Sequence, residues 1–117
     1  MDSLLFAGID LHENFCFITV MDKDGRMVKE GKVLNEEDEI ALFFGQFKSQ
    51  VKAAVEATYN WYWLVDLLEE MGIDIQLANP YKTKIIGESK TKTDNIDARA
   101  LANLLRMNYL PTCYIAD

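Results

Sequence analysis

Leu4-Leu5-Phe6-Ala7-Gly8-Ile9-Asp10 is a nearly continuous apolar run that ends in an acid. A strand covered on both faces reads this way, because neither face has to alternate with polar residues. The next segment, Asn14–Met21, is rich in β-branched and aromatic residues and predicts a second strand. Asp22-Lys23-Asp24-Gly25 carries the composition of a tight turn, and Arg26–Val33 returns as a third strand. Three strands joined by such short connections form an antiparallel meander.

Beyond the meander the periodicity changes. Asn35 reads as a helix N-cap, with Glu36, Glu37, Asp38 and Glu39 in the first turn, where the helix dipole favours acids. Ile40, Phe43, Phe44 and Phe47 follow at helical spacing, which predicts an amphipathic helix to about Ser49. Val51–Val55 is a short apolar strand that stops at Glu56, and a helix from Asn60 to Met71 follows, with Gly72 just past its end. Ile73–Ala78 alternates as a fifth strand. Pro80 suits the first turn of a short helix ending near Gly87, and Pro111 begins a tail. The order β-β-β-α-β-α-β-α-α makes this an α/β chain. Its mixed five-stranded sheet has three antiparallel strands and then two parallel ones, with helices on both faces. Residues 1–110 read as one domain and 111–117 as the start of a linker.

The totals narrow the function classes. Half of the 117 residues are apolar and 11% are aromatic, so a folded core rather than a disordered chain is expected. No apolar run reaches the roughly 20 residues a membrane span needs, and no basic leader with an apolar segment opens the chain. Cys16 and Cys113 lack metal-ligand spacing and read as free thiols, which suits a cytoplasmic location. A net charge of −7 taken alone argues against nucleic acid. The distribution argues otherwise. Residues 1–78 hold 6 basic and 15 acidic side chains (−9), whereas residues 79–117 hold 6 and 4 (+2), with Lys82, Lys84, Lys90 and Lys92 close together.

Those lysines precede a second informative stretch, Thr93-Asp94-Asn95-Ile96-Asp97-Ala98-Arg99. Thr93 reads as the N-cap of a final helix that runs to about Asn108. On such a helix Asp94 and Asp97 share a face with Leu101 and Leu104, which predicts two carboxylates on the inward stripe. Buried carboxylates are costly unless a positive charge answers them. Asp10 and Glu56 end strands that can be parallel neighbours, so all four acids are expected at the carboxyl edge of the sheet, where open α/β sheets place ligands. Three of the acids also have an ordinary explanation, Asp10 and Glu56 as strand-end residues and Asp94 as a capping or dipole residue, whereas Asp97, one turn in and on the apolar stripe, is harder to explain that way. Four together would bind hard cations, Mg²⁺ or Mn²⁺. Two such ions about 3.5–4 Å apart can stabilise the attacking and leaving oxygens of a phosphodiester.

Gly8-Ile9-Asp10-Leu11-His12, Val55-Glu56-Ala57-Thr58, Ala78-Asn79-Pro80 and Lys92-Thr93-Asp94-Asn95-Ile96-Asp97-Ala98-Arg99 together resemble the DEDD transposases of bacterial insertion sequences, the family of bridge-RNA-guided recombinases. The resemblance implies a ribonuclease-H-like, RuvC-like fold. It also implies a metal site of Asp10, Glu56, Asp94 and Asp97, with Lys82, Lys84, Lys90, Lys92 and Arg99 against nucleic acid. DNA, a structured guide RNA and further copies of the chain are the implied partners. In the family the serine nucleophile comes from a second domain, and Ser3, Ser49 and Ser89 match no such context. Three alternatives remain at this point: a RuvC-type Holliday-junction resolvase, a non-enzymatic module docking RNA or protein, and an actin-like ATPase half. The last wants a glycine soon after Asp10, where Leu11-His12-Glu13 stand instead. Trp61 fits the core face of the second helix, while Tyr59, Tyr62 and Trp63 could stack on bases or form a contact between copies.

Overall fold

The computed structural model describes residues 4–58, 60–80 and 97–113. Eight elements follow one another: β1 (Leu4–Leu11), β2 (Phe15–Met21), β3 (Met27–Leu34), α1 (Glu37–Gly45), β4 (Gln50–Glu56), α2 (Tyr62–Glu70), β5 (Asp74–Ala78) and α3 (Ala98–Arg106). The strands form one sheet in the order β3-β2-β1-β4-β5. β1, β2 and β3 pair antiparallel, while β4 and β5 run parallel to β1. The expected mixed sheet is borne out, and so is its ribonuclease-H-like class. The short helix expected over Pro80–Gly87 falls, after Pro80, outside the described residues.

β1 is the central strand and its side chains are divided between two cores. Leu5, Ala7 and Ile9 join Ile18, Val20, Val55, Phe44, Leu64 and Leu68 in a core roofed by α1 and α2. Phe6 lies in the opposite core with Ala54, Ala78, Leu101, Ala102 and Leu105, under α3. This division is why the opening run shows no alternation. Gly8 has a particular reason to be glycine: a Cβ there would lie 2.0 Å from the Ala98 carbonyl oxygen and 2.6 Å from the Ala102 nitrogen. The backbone of α3 therefore rests directly on β1.

The ends of the elements are set by local hydrogen bonds. In the β2–β3 turn the Asp22 carboxylate accepts from the Asp24 and Arg26 nitrogens at 2.9 Å, and Gly25 takes φ +85°. α2 ends with Gly72 at φ +81°, the Ile73 N–H donating to the Leu68 carbonyl and the Gly72 N–H to that of Glu69. α3 closes the same way with Asn108 at φ +64°, Tyr109 donating to Leu104 and Asn108 to Leu105. Two expected caps are corrected. The N-cap of α1 is Glu36 rather than Asn35, and α1 ends at Gly45 rather than near Ser49. The N-cap of α3 is Asp97, while Thr93 lies outside the described residues.

Past α3 the chain returns to the sheet. Thr112 bridges antiparallel to Ala78, Cys113 donates to the Leu77 carbonyl at 2.7 Å, and Asn79 donates to that of Pro111 at 2.8 Å. The first three residues of the expected linker thus lie along the β5 edge.

Candidate functional site

Strand register brings Asp10 and Glu56 together. Ile9 pairs with Val55 across the parallel β1–β4 ladder, so the two acids occupy the next row. Adjacent strands are about 4.8 Å apart, so the two side chains start from neighbouring points. Alternation from Phe6 and Gly8 on β1, and from Ala54 on β4, sets both on the α3 side at the carboxyl edge. Glu56 is only 8% exposed, and both acids line one cavity of about 540 Å³. The sequence predicted this pair.

The turn between β1 and β2 supports Asp10 in a way that was not predicted. His12 Nε2 lies 3.0 Å from Asp10 Oδ2, and its ring stacks on Phe15 with centroids 4.6 Å apart. Asn35, expected as a helix cap, instead ties the turn down. Its Nδ2 donates to the His12 carbonyl at 2.7 Å and to that of Glu13 at 3.2 Å, and its Oδ1 accepts from Cys16 Sγ at 3.0 Å. Cys16 is buried, and burial followed by the charge of Asp10 pushes its thiol up to about 12, so it is an inert hydrogen-bond donor. Residues i and i+2 of an extended strand share a face, which was the available signal for His12 beside Asp10. Nothing in the sequence pointed to Asn35, because its partners are 19 to 23 residues away.

Asp97 occupies a different place from the one expected. It is exposed and extended (φ −79°, ψ 173°), and its Oδ1 accepts from the Ala100 N–H at 2.9 Å. The helix starts after it, so its side chain turns back onto the first turn instead of following Leu101 and Leu104 inward. Those two leucines are buried as predicted. Asp97 lines a smaller hollow with Phe17, Glu30, Ala98 and Arg99. Phe17 pairs with Asp10 across the β1–β2 ladder, so the hollow adjoins the Asp10 row from the β2 side.

Arg99, expected against phosphate, forks onto Glu30 of β3, with Nε at 2.8 Å and Nη2 at 2.9 Å. Glu30 also accepts from the buried Thr19 hydroxyl at 2.6 Å. The bonds from Arg99 and then Thr19 hold the Glu30 carboxyl down at about 2. A depressed carboxylate contributes stability above its unfolded pKa and loses it as pH falls through the folded value. The advantage of wild type over Glu30→Gln is therefore expected to be full at neutral pH. It should shrink as pH falls from the ordinary carboxylate range toward about 2, as read by urea unfolding along a pH series.

Asp94, Lys82, Lys84, Lys90 and Lys92 lie outside the described residues, as does Tyr59. Among the described residues no three His, Cys, Asp or Glu side chains are grouped to hold a metal. The donor chemistry of Asp10 and Glu56 nevertheless fits a hard divalent cation: two carboxylates from adjacent strands open into one cavity. Of the aromatic group, Trp61 stacks on the exposed Tyr62 with centroids 4.0 Å apart, while Trp63 lines the cavity. Among the described residues no helix is long and apolar enough to cross a membrane.

Comparison with known proteins agrees with this architecture. The chain is similar to the transposase for insertion sequence element IS1533 of Leptospira borgpetersenii, with 27% identity over 110 residues covering 91% of this chain and 32% of the relative. It therefore spans about a third of the curated relative it matches. The family model for DEDD transposases of the IS110 type, described as a transposase, matches residues 7–116. That match takes in both strand-end acids and the start of α3, and the chain belongs to this DEDD transposase family.

Proposed function

We propose that this chain is the metal-binding catalytic domain of a DNA transposase or site-specific recombinase. The observation that carries the reading is the convergence of Asp10 and Glu56, from neighbouring parallel strands, into one cavity at the carboxyl edge. In this reading Asp10, Glu56, Asp94 and Asp97 hold Mg²⁺ or Mn²⁺. A bound ion of this kind supplies Lewis-acid stabilisation of phosphodiester oxygens during cleavage and strand transfer. Glu56 enters from the buried side of the cavity, and His12 holds one oxygen of Asp10 so that its carboxylate keeps a single orientation. Asp97 uses Oδ1 for its cap, and a carboxylate has further lone pairs for an ion.

The other contributions follow from charge and family. Lys82, Lys84, Lys90 and Lys92 contact the DNA backbone, as does Arg99 through the donors that Glu30 leaves available. The serine that attacks the phosphodiester comes from a second domain outside these 117 residues. A structured guide RNA and further copies of the chain complete the assembly, which works in the cytoplasm.

Mn²⁺ titration by calorimetry tests the reading. Asp10→Ala and Glu56→Ala are expected to weaken binding by about tenfold or more, and His12→Ala by about tenfold. Asp97→Ser keeps a capping oxygen while removing the carboxylate, so its loss of affinity reports ligation rather than a frayed helix. Unchanged affinity in both Asp10→Ala and Asp97→Ser would sink the four-carboxylate site.

A further inference from the structure

The cavity at Asp10 and Glu56 is larger than metal ions require. Its volume of about 540 Å³ lies in the range, roughly 300–1,000 Å³, of sites that take an organic group. His12, Glu13 and Asn35 form one side, and Thr58, Asn60 and Trp63 form the other. Among the described residues no lysine or arginine lines it, whereas three carboxylates (Asp10, Glu13 and Glu56) do. Such a lining repels a phosphate except at the carboxylates themselves, where a cation offsets the charge. The remaining space suits a neutral, flat group with polar edges.

The far wall matches that description. Trp63 is half-buried against the core and brings an indole to the lining. Asn60 brings an amide with both donors and an acceptor, on a backbone at φ +60°. Thr58 adds a hydroxyl, and on the opposite side Glu13 is an acceptor suited to an exocyclic amine. Both amide donors of Asn35 are already used by the turn it pins, so it offers a ligand no N–H.

We propose that this cavity is a nucleobase pocket. It receives one unstacked base of the DNA strand whose phosphate is held at Asp10 and Glu56, and Trp63 and Asn60 recognise it. The inference rests on the carboxylate reading above for the position of that phosphate. Unstacking is least costly in a single-stranded or mismatched nucleotide, so the pocket favours a melted or displaced strand over a closed duplex.

Deoxyadenosine, which has no phosphate, is the probe. It is titrated into the metal-free 117-residue chain while the two indole N–H signals are followed by NMR. A saturable shift at Trp63, with none at Trp61, is expected, because Trp61 does not line the cavity. Trp63→Leu should weaken binding by roughly tenfold, the scale of one lost base–aromatic contact. Asn60→Gly keeps the left-handed backbone and removes the amide, so it should weaken binding without unfolding the chain. A short single-stranded oligonucleotide should bind more tightly than deoxyadenosine, which identifies a strand rather than a free nucleoside as the ligand, and more tightly than the same strand carrying an abasic site, which assigns that binding to the base. Affinity for deoxyadenosine that is equal in wild type, Trp63→Leu and Asn60→Gly overturns the pocket, as does equal binding of the intact and abasic strands. Nucleoside binding without Mn²⁺ binding would remove the metal reading alone. The converse would remove the pocket alone.

Discussion

Gly8→Ala is expected to destabilise the domain by about 3 kcal/mol, at the upper end of what an overpacked interior usually costs. Two effects oppose each other at this position. Replacing glycine in a strand restricts the unfolded chain and gains about 0.4–1 kcal/mol where the backbone permits it. Against that, the new methyl would sit 2.0 Å from the Ala98 carbonyl oxygen and 2.6 Å from the Ala102 nitrogen. Both are backbone atoms of α3, so no side-chain rotation relieves the overlap, and the helix must lift away from β1. The clash wins on magnitude. A lower urea midpoint with an unchanged slope is the expected signature. The same displacement moves Asp97, the cap of α3, away from the Asp10 row, so Mn²⁺ affinity should fall along with stability. A Gly8→Ala protein as stable as wild type would show that α3 does not rest on β1 at this distance.

Leu101→Ala tests the same seat from the other side and is expected to cost about 3 kcal/mol, within the usual 2–5 kcal/mol for a buried leucine. Leu101 is fully buried between Phe6, Ala54, Ala78 and Leu105. Its truncation leaves a void that the small residues around it, Ala54, Ala78 and Ala102, cannot fill by reaching inward. Leu42→Ala is the control. Leu42 is 72% exposed on α1, and its loss should change stability by no more than about 0.5 kcal/mol. Similar losses for both leucines, measured by urea unfolding, would contradict the assigned core. The Gly8 and Leu101 variants also separate shape from volume: one site tolerates no added methyl, and the other tolerates no missing isopropyl group.

Much of this organisation was legible before any coordinates. The uninterrupted apolar run of β1, the Asp22–Gly25 turn, the glycine after α2 and the change from period 2 to period 3.6 were enough for the strand count and the mixed topology. They work because each is a local signal, written within a few residues of the element it sets. The pairing of Asp10 with Glu56 was legible too, since strand ends and parallel neighbours follow from connectivity. The ends of helices were less so. Thr93 and Asp97 have nearly interchangeable capping chemistry, as do other polar residues at a helix start, and which one caps depends on where tertiary packing starts the helix.

The sequence by itself determined the order of strands and helices, the two acids on adjacent strands and the family motifs that point to a transposase domain. Only the tertiary structure decided that Asn35 pins the β1–β2 turn, that His12 holds Asp10, that Arg99 is bound to Glu30, and that Asp97 caps α3 beside the Asp10 row. The Asn35 and Arg99 contacts bridge residues 19 to 69 positions apart. The other two are local, yet they depend on a turn and a helix start that the packed sheet sets. A side-chain hydrogen bond needs its partner within about 3 Å, and no periodicity in the chain encodes a distance that arises only once the sheet has closed under α3.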